Sequence, residues 1–435
     1  MSCTGNDDLE TPGMDRIAAT GTRFVEAYCT APVCTPSRAS MLTGRFPHVT
    51  GVTDNGEALP DRYHRQSLGR LLTAAGYDCG WAGKWHLPSG DLDEGHGFER
   101  VSGFGDEGLV DDCLQFLARE RDAPFLLAAS FDDPHNICEY ARGQNLPWGE
   151  LPEPPTEACP SLPANFAIPP FEPEPIRTSM AAEQRTLGAM SDATPADWRH
   201  YRNAYFRLIE RVDARVDRLL DGLSDRELES NTLVVFLSDH GDGAGAHQVN
   251  QKWLLYEEPT RVPLLIRPPD DEESALRGHV NEHLVSSGLD LLPTLCAAAG
   301  ITPPDDLRGR NLLTLATGHS PTDWRPYVVT ETEYPMPGRM VRTPYFKYNV
   351  YARGHHREQL FDMTTDRGEL VDRSVDASYH DILVEHRLQL LRWSRQTNDV
   401  FADRGTRHGA PLIPGFDLGD VQAYMNGGPE PSPSV

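Results

Sequence analysis

Cys34, Pro36, Ser37 and Arg38 stand together in Cys34-Thr-Pro-Ser-Arg-Ala-Ser-Met-Leu-Thr-Gly44. Pro36 suits the first turn of a helix, Ser40–Leu42 continue it and Gly44 ends it, which predicts Cys34 just before a helix N-terminus. Free N–H groups and the helix dipole favour an anion there, and Arg38, one turn along, adds a fixed positive charge. Taken alone, the same pattern also describes a small buried cysteine beside a capping turn. A second clue is a scarcity. The only lysines are Lys84, Lys252 and Lys347 among 40 lysines and arginines. A GC-rich coding sequence or a salt-adapted surface gives such depletion, and a surviving lysine is a candidate for work that a compact ammonium does better.

Three further groups fall at the ends of predicted strands. Gly83-Lys84-Trp85-His86-Leu87 follows Tyr77–Ala82, Asp132-Asp133-Pro134-His135 follows Phe125–Phe131, and Ser238-Asp239-His240-Gly241 ends Thr232–Asp239. Carboxyl ends of strands are where α/β sites gather. Val262–Arg267 reads as another buried strand, and helix-like segments lie at Ser67–Ala75, Gly108–Arg121, Asp197–Leu223 and Leu289–Ala299. The alternation argues for α/β architecture: a large, mainly parallel sheet flanked by helices. The Pro-rich stretch at about 146–175 reads as a surface excursion near a site. After about residue 320 the pattern changes to short antiparallel strands at Tyr327–Thr332, Tyr345–Tyr351 and Glu358–Phe361, followed by a helix over Ser378–Arg395. The expected organisation is a catalytic α/β domain over 1–320, a smaller α+β domain over 321–402 and a flexible tail over 403–435.

With 435 residues there is material for a large core, and 40 basic against 65 acidic residues give a net charge of −25. A general nucleic-acid or anionic-membrane binder needs a basic surface, so neither partner is expected. The apolar runs are too short to span a bilayer, and eight cysteines over this length do not make a disulfide scaffold.

Taken whole, Cys34-Thr-Pro-Ser-Arg38 followed by Thr43-Gly44-Arg45 resembles the formylglycine-dependent sulfatases of the alkaline phosphatase superfamily. Thr11-Pro-Gly-Met-Asp-Arg-Ile17 and Phe24-Val-Glu-Ala-Tyr28 resemble that family too, and the likeness runs from about Thr11 to Arg395. It implies that a maturation enzyme oxidises Cys34 to formylglycine. One hydroxyl of the aldehyde hydrate would attack sulfur, and the other would lose a proton to expel sulfate. By resemblance Lys84 holds the sulfate and formylglycine oxygens, with Pro88 replacing a family glycine, and His86 hydrogen-bonds the diol. His135 would protonate the leaving alcohol. Asp132 and Asp133 are read as structural or substrate-facing rather than as metal ligands. The resemblance makes Asp239, His240 and the converted Cys34 ligands of Ca2+, an ion that prefers oxygen. His247 and Lys252, in Ala246-His-Gln-Val-Asn-Gln-Lys-Trp253, would contact substrate, Lys252 bridging toward the leaving oxygen. The implied function is hydrolysis of a sulfate monoester on a carbohydrate or small molecule. A phosphonate monoester or phosphodiester hydrolase shares the motif and is the alternative.

The family begins with an apolar strand ending in an Asp-Asp pair that supplies two calcium ligands. No such strand precedes Thr11; Asp7 and Asp8 follow polar residues and lie too near Cys34, so Gly5–Leu9 reads as the loop after it. A start codon set too late and a truncated, inactive relic are the two explanations. Localisation as encoded is cytoplasmic, or periplasmic or secreted if a signal peptide was lost with that segment.

Overall fold

A computed structural model describes all residues except 89–94, 184–189, 271, 273, 320, 405–410 and 434–435, and for 179–183 only the backbone. Thirteen strands are described: β1 (Thr22–Phe24), β2 (Ala27–Tyr28), β3 (Asp78–Gly83), β4 (Glu99–Ser102), β5 (Phe125–Ser130), β6 (Val234–Leu237), β7 (Leu264–Arg267), β8 (His279–Asn281), β9 (Val285–Ser286), β10 (Val328–Thr332), β11 (Gly338–Arg342), β12 (Phe346–Tyr351) and β13 (Glu358–Asp362). They form a mixed α/β fold with parallel pairings β3–β4, β3–β5, β1–β8 and β2–β9. β7 runs antiparallel to both β1 and β6, so the sheet β6-β7-β1-β8 is less uniformly parallel than its apolar runs suggest.

The predicted helices form close to their expected bounds, as Leu68–Ala74, Leu109–Leu117 and Ser287–Ala298. The long helix starts earlier, at Pro195, because Thr194 and Asp197 close a capping box, worth about 1 kcal/mol. It runs to Ser224 and buries Trp198, Tyr201, Leu208, Val212 and Leu220.

β10 to β13 form an antiparallel meander with continuous register. β11 was not read from the sequence: Gly338 and Arg342 obscure its apolar Met340 and Val341, although all five residues are buried. The helix His380–Thr397 packs on this sheet through Leu383, Leu390, Leu391 and Trp393. The expected flexible tail is corrected for its ordered part. Leu412, Ile413 and Phe416 are buried in the same core, and a helix over Leu418–Met425 adds Val421 and Tyr424. Gly and Pro hid an anchor of five apolar side chains.

The α/β layer is divided. β4-β3-β5 form one sheet and β6-β7-β1-β8 another, and no backbone hydrogen bond joins β5 to β6 among the described residues. Both strands line a cavity of about 940 Å³ together with Phe131, Val212, Val216 and Leu219. No described helix is long and apolar enough to cross a membrane.

Candidate active site

The helix Cys34–Thr43 carries Cys34 as its first residue, and Gly44 (φ 66°) closes it by donating its N–H to the Ser40 carbonyl. The Thr35 N–H is met by Asn55 Oδ1 at 3.0 Å, a residue no sequence signal had marked. Two motif glycines are steric necessities. A Cβ at Gly241 would lie 1.9 Å from the Glu258 carbonyl, and at Gly83 (φ 85°) 2.3 Å from that of Ser130. Close backbone approach at these two points brings the strand ends together.

The Cys34 Sγ lies 3.0 Å from Lys252 Nζ and 3.1 Å from His240 Nε2. Lys252 Nζ is in turn 3.3 Å from His135 Nε2. Burial opposes ionisation of the Cys34 thiol, but Lys252 and His240 outweigh it and hold its pKa well below the ordinary thiol range. Burial works against the Lys252 ammonium too, and the facing Cys34 sulfur raises its pKa. Burial keeps His135 below the usual histidine value. Four residues from four distant segments thus form one charged, largely buried cluster.

Arg38 turns away from the sulfur. Its Nε meets Asp239 Oδ2 at 2.8 Å, and its guanidinium reaches the Lys84 carbonyl and Ser130 Oγ. Burial resists the charge on Asp239, yet Arg38 and His240 bring its pKa down to about 2. The free positive charge expected of Arg38 is therefore spent on Asp239, and its role here is to position. Lys84 Nζ pairs with Asp132 Oδ1 at 2.8 Å, both side chains being buried. Asp133 lies among Arg211, Arg215 and Asn136, a structural setting. Asp106, also unmarked by the sequence, accepts the N–H groups of Asp132 and Asp133 and is pushed up to about 6 by burial. It fixes the turn that leads to His135.

His86 stands beside the helix start, its carbonyl accepting from Thr35 Oγ1 at 2.8 Å. Its side chain is exposed, and its φ of 62° is strained for a non-glycine residue. The Lys252 loop is strained as well, with positive φ at Ala244, His247, Gln248, Gln251 and Trp253. Each such residue costs about 1–3 kcal/mol and persists only where its surroundings fix it. Here Asp242 accepts from Ala244 N–H, Gln251 N–H and Tyr201 Oη, and Trp253 N–H donates to the Pro32 carbonyl.

His247 is a correction. It is fully buried and stacks on Tyr256 with ring centroids 4.0 Å apart, so it cannot touch a substrate. Its neighbours are Glu258 and Glu369, and Lys347 Nζ meets Glu369 at 2.9 Å and Glu257 at 3.1 Å. The motif spacing located His247 but not the direction it faces.

For a metal, Cys34, Asp239 and His240 place one ligand atom each within 4.8 Å of one another. One carboxylate, one imidazole and one sulfur fall short of the six to eight oxygens that calcium takes. Arg38 and Lys252 already engage two of the three donors. The described residues by themselves do not make a calcium site.

The family model for sulfatases matches residues 1–301, and that for the C-terminal part of N-sulphoglucosamine sulphohydrolase matches residues 245–396. The chain belongs to the sulfatase family of the alkaline phosphatase superfamily and is a sulfuric ester hydrolase. It is 32% identical to a Delta 4,5-hexuronate-2-O-sulfatase of Bacteroides thetaiotaomicron, over 93% of this chain and 89% of that protein. An N-acetylglucosamine-6-O-sulfatase of the same organism is 26% identical, over 93% of this chain and 84% of that protein. Among solved structures, a 2-O GAG sulfatase superposes with a TM-score of 0.81 at 29% identity, covering 92% of this chain and 90% of that one. A phosphonate monoester hydrolase of Agrobacterium radiobacter shares the fold, with a TM-score of 0.77 at 22% identity over 91% and 93%. Enzymes of the family use a formylglycine and a divalent metal ion.

Proposed function

We propose that the chain hydrolyses a sulfate monoester on a carbohydrate through a formylglycine made from Cys34 by a maturation enzyme. The observation that carries this reading is the convergence of Lys252, His240 and His135 on the residue at the helix N-terminus. That residue faces the ammonium of Lys252, the positive charge an anionic sulfate needs. One hydroxyl of the aldehyde hydrate attacks sulfur and the bond from sulfur to the sugar oxygen breaks. His135, 3.3 Å from the Lys252 ammonium, delivers the proton that the leaving alkoxide takes up. The second hydroxyl then loses its proton, the carbonyl re-forms and sulfate departs. Lys252 and Lys84 neutralise charge on the sulfate oxygens, while Arg38 and Asp132 hold Asp239 and Lys84 in place. No step is assigned to calcium, because the donor set described above does not hold it.

The 2-O-sulfated hexuronate named for the Bacteroides relative is the substrate class we favour. Tyr334, 41% exposed, lies 6.0 Å from the ring of Trp253 beside Lys252 and offers an aromatic face to a sugar. Sulfate release from 2-O-sulfated unsaturated uronate disaccharides should exceed that from 6-O-sulfated glucosamine at least tenfold. Faster turnover of an aryl phosphonate than of any sulfate ester would overturn the reading in favour of the phosphonate hydrolase.

A further inference from the structure

His247, Glu258 and Glu369 each carry a donor atom that lies within 4.8 Å of the other two. The first two flank Lys252 in sequence, and the third comes from the turn after β13. His247 and Glu369 are 0% exposed, and both hold left-handed backbone, with φ of 52° and 55°. In each of the three side chains one polar atom is engaged and the other is not. Asn165 Nδ2 donates to Glu258 Oε1 at 2.8 Å and lies 3.5 Å from His247 Nε2, while the Glu257 N–H donates to Glu369 Oε2 at 2.6 Å. His247 Nδ1, Glu258 Oε2 and Glu369 Oε1 are buried without a hydrogen bond. Three such atoms in one cluster are costly unless a further partner meets them. Charge points the same way. Lys347 and Arg261 can match two of the three glutamates here, and Glu258 has only an amide. Burial, with Glu257 and Glu258 nearby, pushes Glu369 up to about 8 despite Lys347.

We propose that His247, Glu258 and Glu369 form a structural metal site for a divalent cation of the Zn2+ class, apart from the catalytic cluster. One imidazole and two carboxylates suit an ion of borderline hardness better than calcium, which takes six to eight oxygens. Tetrahedral bonds of about 2.1 Å set donor atoms about 3.4 Å apart. The three donors need only close to that spacing from a separation of at most 4.8 Å, and a water completes the set of four. Lys347 and Asn165 stay outside the ion as partners of its carboxylates, the second layer such sites require. The ion ties the loop that carries Lys252 to the C-terminal sheet and holds the two left-handed residues, which persist only where their surroundings fix them. It takes no part in sulfate chemistry. Loss of sulfate release with intact zinc binding would break the sulfatase reading and leave this one.

The test titrates Zn2+ into the chelator-treated full chain carrying Cys34→Ala, which removes the sulfur of the Cys34–Asp239–His240 group. Calorimetry should show saturable 1:1 binding, and zinc should raise the melting temperature. Adding His247→Gln or Glu258→Gln should weaken binding about tenfold or more and abolish the thermal shift. Glu258→Gln keeps the side-chain volume and the oxygen that Asn165 meets, so it decides the matter if His247→Gln does not fold. The first equivalent of Co2+ on the chain with Cys34 intact should show ligand-field bands without a thiolate charge-transfer band. A thiolate band at that equivalent would place the ion at Cys34 and overturn the proposal. Absence of saturable zinc binding, or unchanged affinity in the Glu258→Gln chain, would overturn it as well.

Discussion

Two clusters in this molecule are built from the same ingredients and do opposite things. Around Cys34 stand a lysine, two histidines and an aspartate; around Lys347 stand a histidine and three glutamates. At Cys34 the groups end a helix and two half-buried strands, and its lysine faces a sulfur and an imidazole rather than a carboxylate. At Lys347 the ammonium is fully buried against Glu257 and Glu369, and Arg342 adds a pair with Glu26 in the same interface. That charge is consumed in holding the C-terminal sheet to the loop that carries Lys252. The residue types are shared; the clusters differ in whether the ammonium faces a carboxylate.

The difference can be broken from either side. Cys34→Ala should lower turnover about a thousandfold or more while leaving thermal stability nearly unchanged. Lys252→Ala should cost about 10²–10³-fold in kcat. His135→Ala should cost about 10²–10⁴-fold on a sugar sulfate and much less on an aryl sulfate, whose leaving group needs no proton. Equal losses on both substrates would remove His135 from the acid role. Lys347→Met should reverse the pattern. It leaves Glu257 and Glu369 buried without their ammonium, a loss of about 3–5 kcal/mol in unfolding free energy, with KM of the surviving enzyme near wild type.

The smallest expected effect is on pH dependence. Burial and the nearby Arg177 lower the His247 pKa to about 4. A depressed histidine favours its neutral form in the fold, so its contribution is complete above the unfolded value of about 6.5 and is lost as pH falls toward 4. His247→Gln should flatten that part of a melting-temperature profile, removing a dependence of roughly 3 kcal/mol. An unchanged acid slope would show that His247 is not held neutral.

Much of the catalytic cluster was legible because local motifs mark strand ends. Cys34, Lys84, His135, Asp239 and Lys252 each follow or precede an apolar or helical pattern, the one before Lys84 being the weakest, and the fold brings them together. Direction was not legible. His247 lies five residues from Lys252, yet the positive φ at His247, Gln248 and Gln251 turns its ring into the core. Arg38 was readable as a charge but not as one already matched by Asp239. Asn55, Asp106 and Tyr201 act through hydrogen bonds made across long sequence distances, which no spacing records. The ordered 411–425 segment was hidden by its Gly and Pro content, although its apolar residues fill the core under the His380–Thr397 helix.

The central claim is that Cys34 becomes the nucleophile, and the mass of the tryptic peptide Phe24–Arg38 tests it most directly. After co-production with a formylglycine-generating enzyme, the peptide should be lighter than its encoded mass by about 18 Da, the change from thiol to aldehyde. A peptide at its encoded mass in a preparation that releases sulfate would contradict the account.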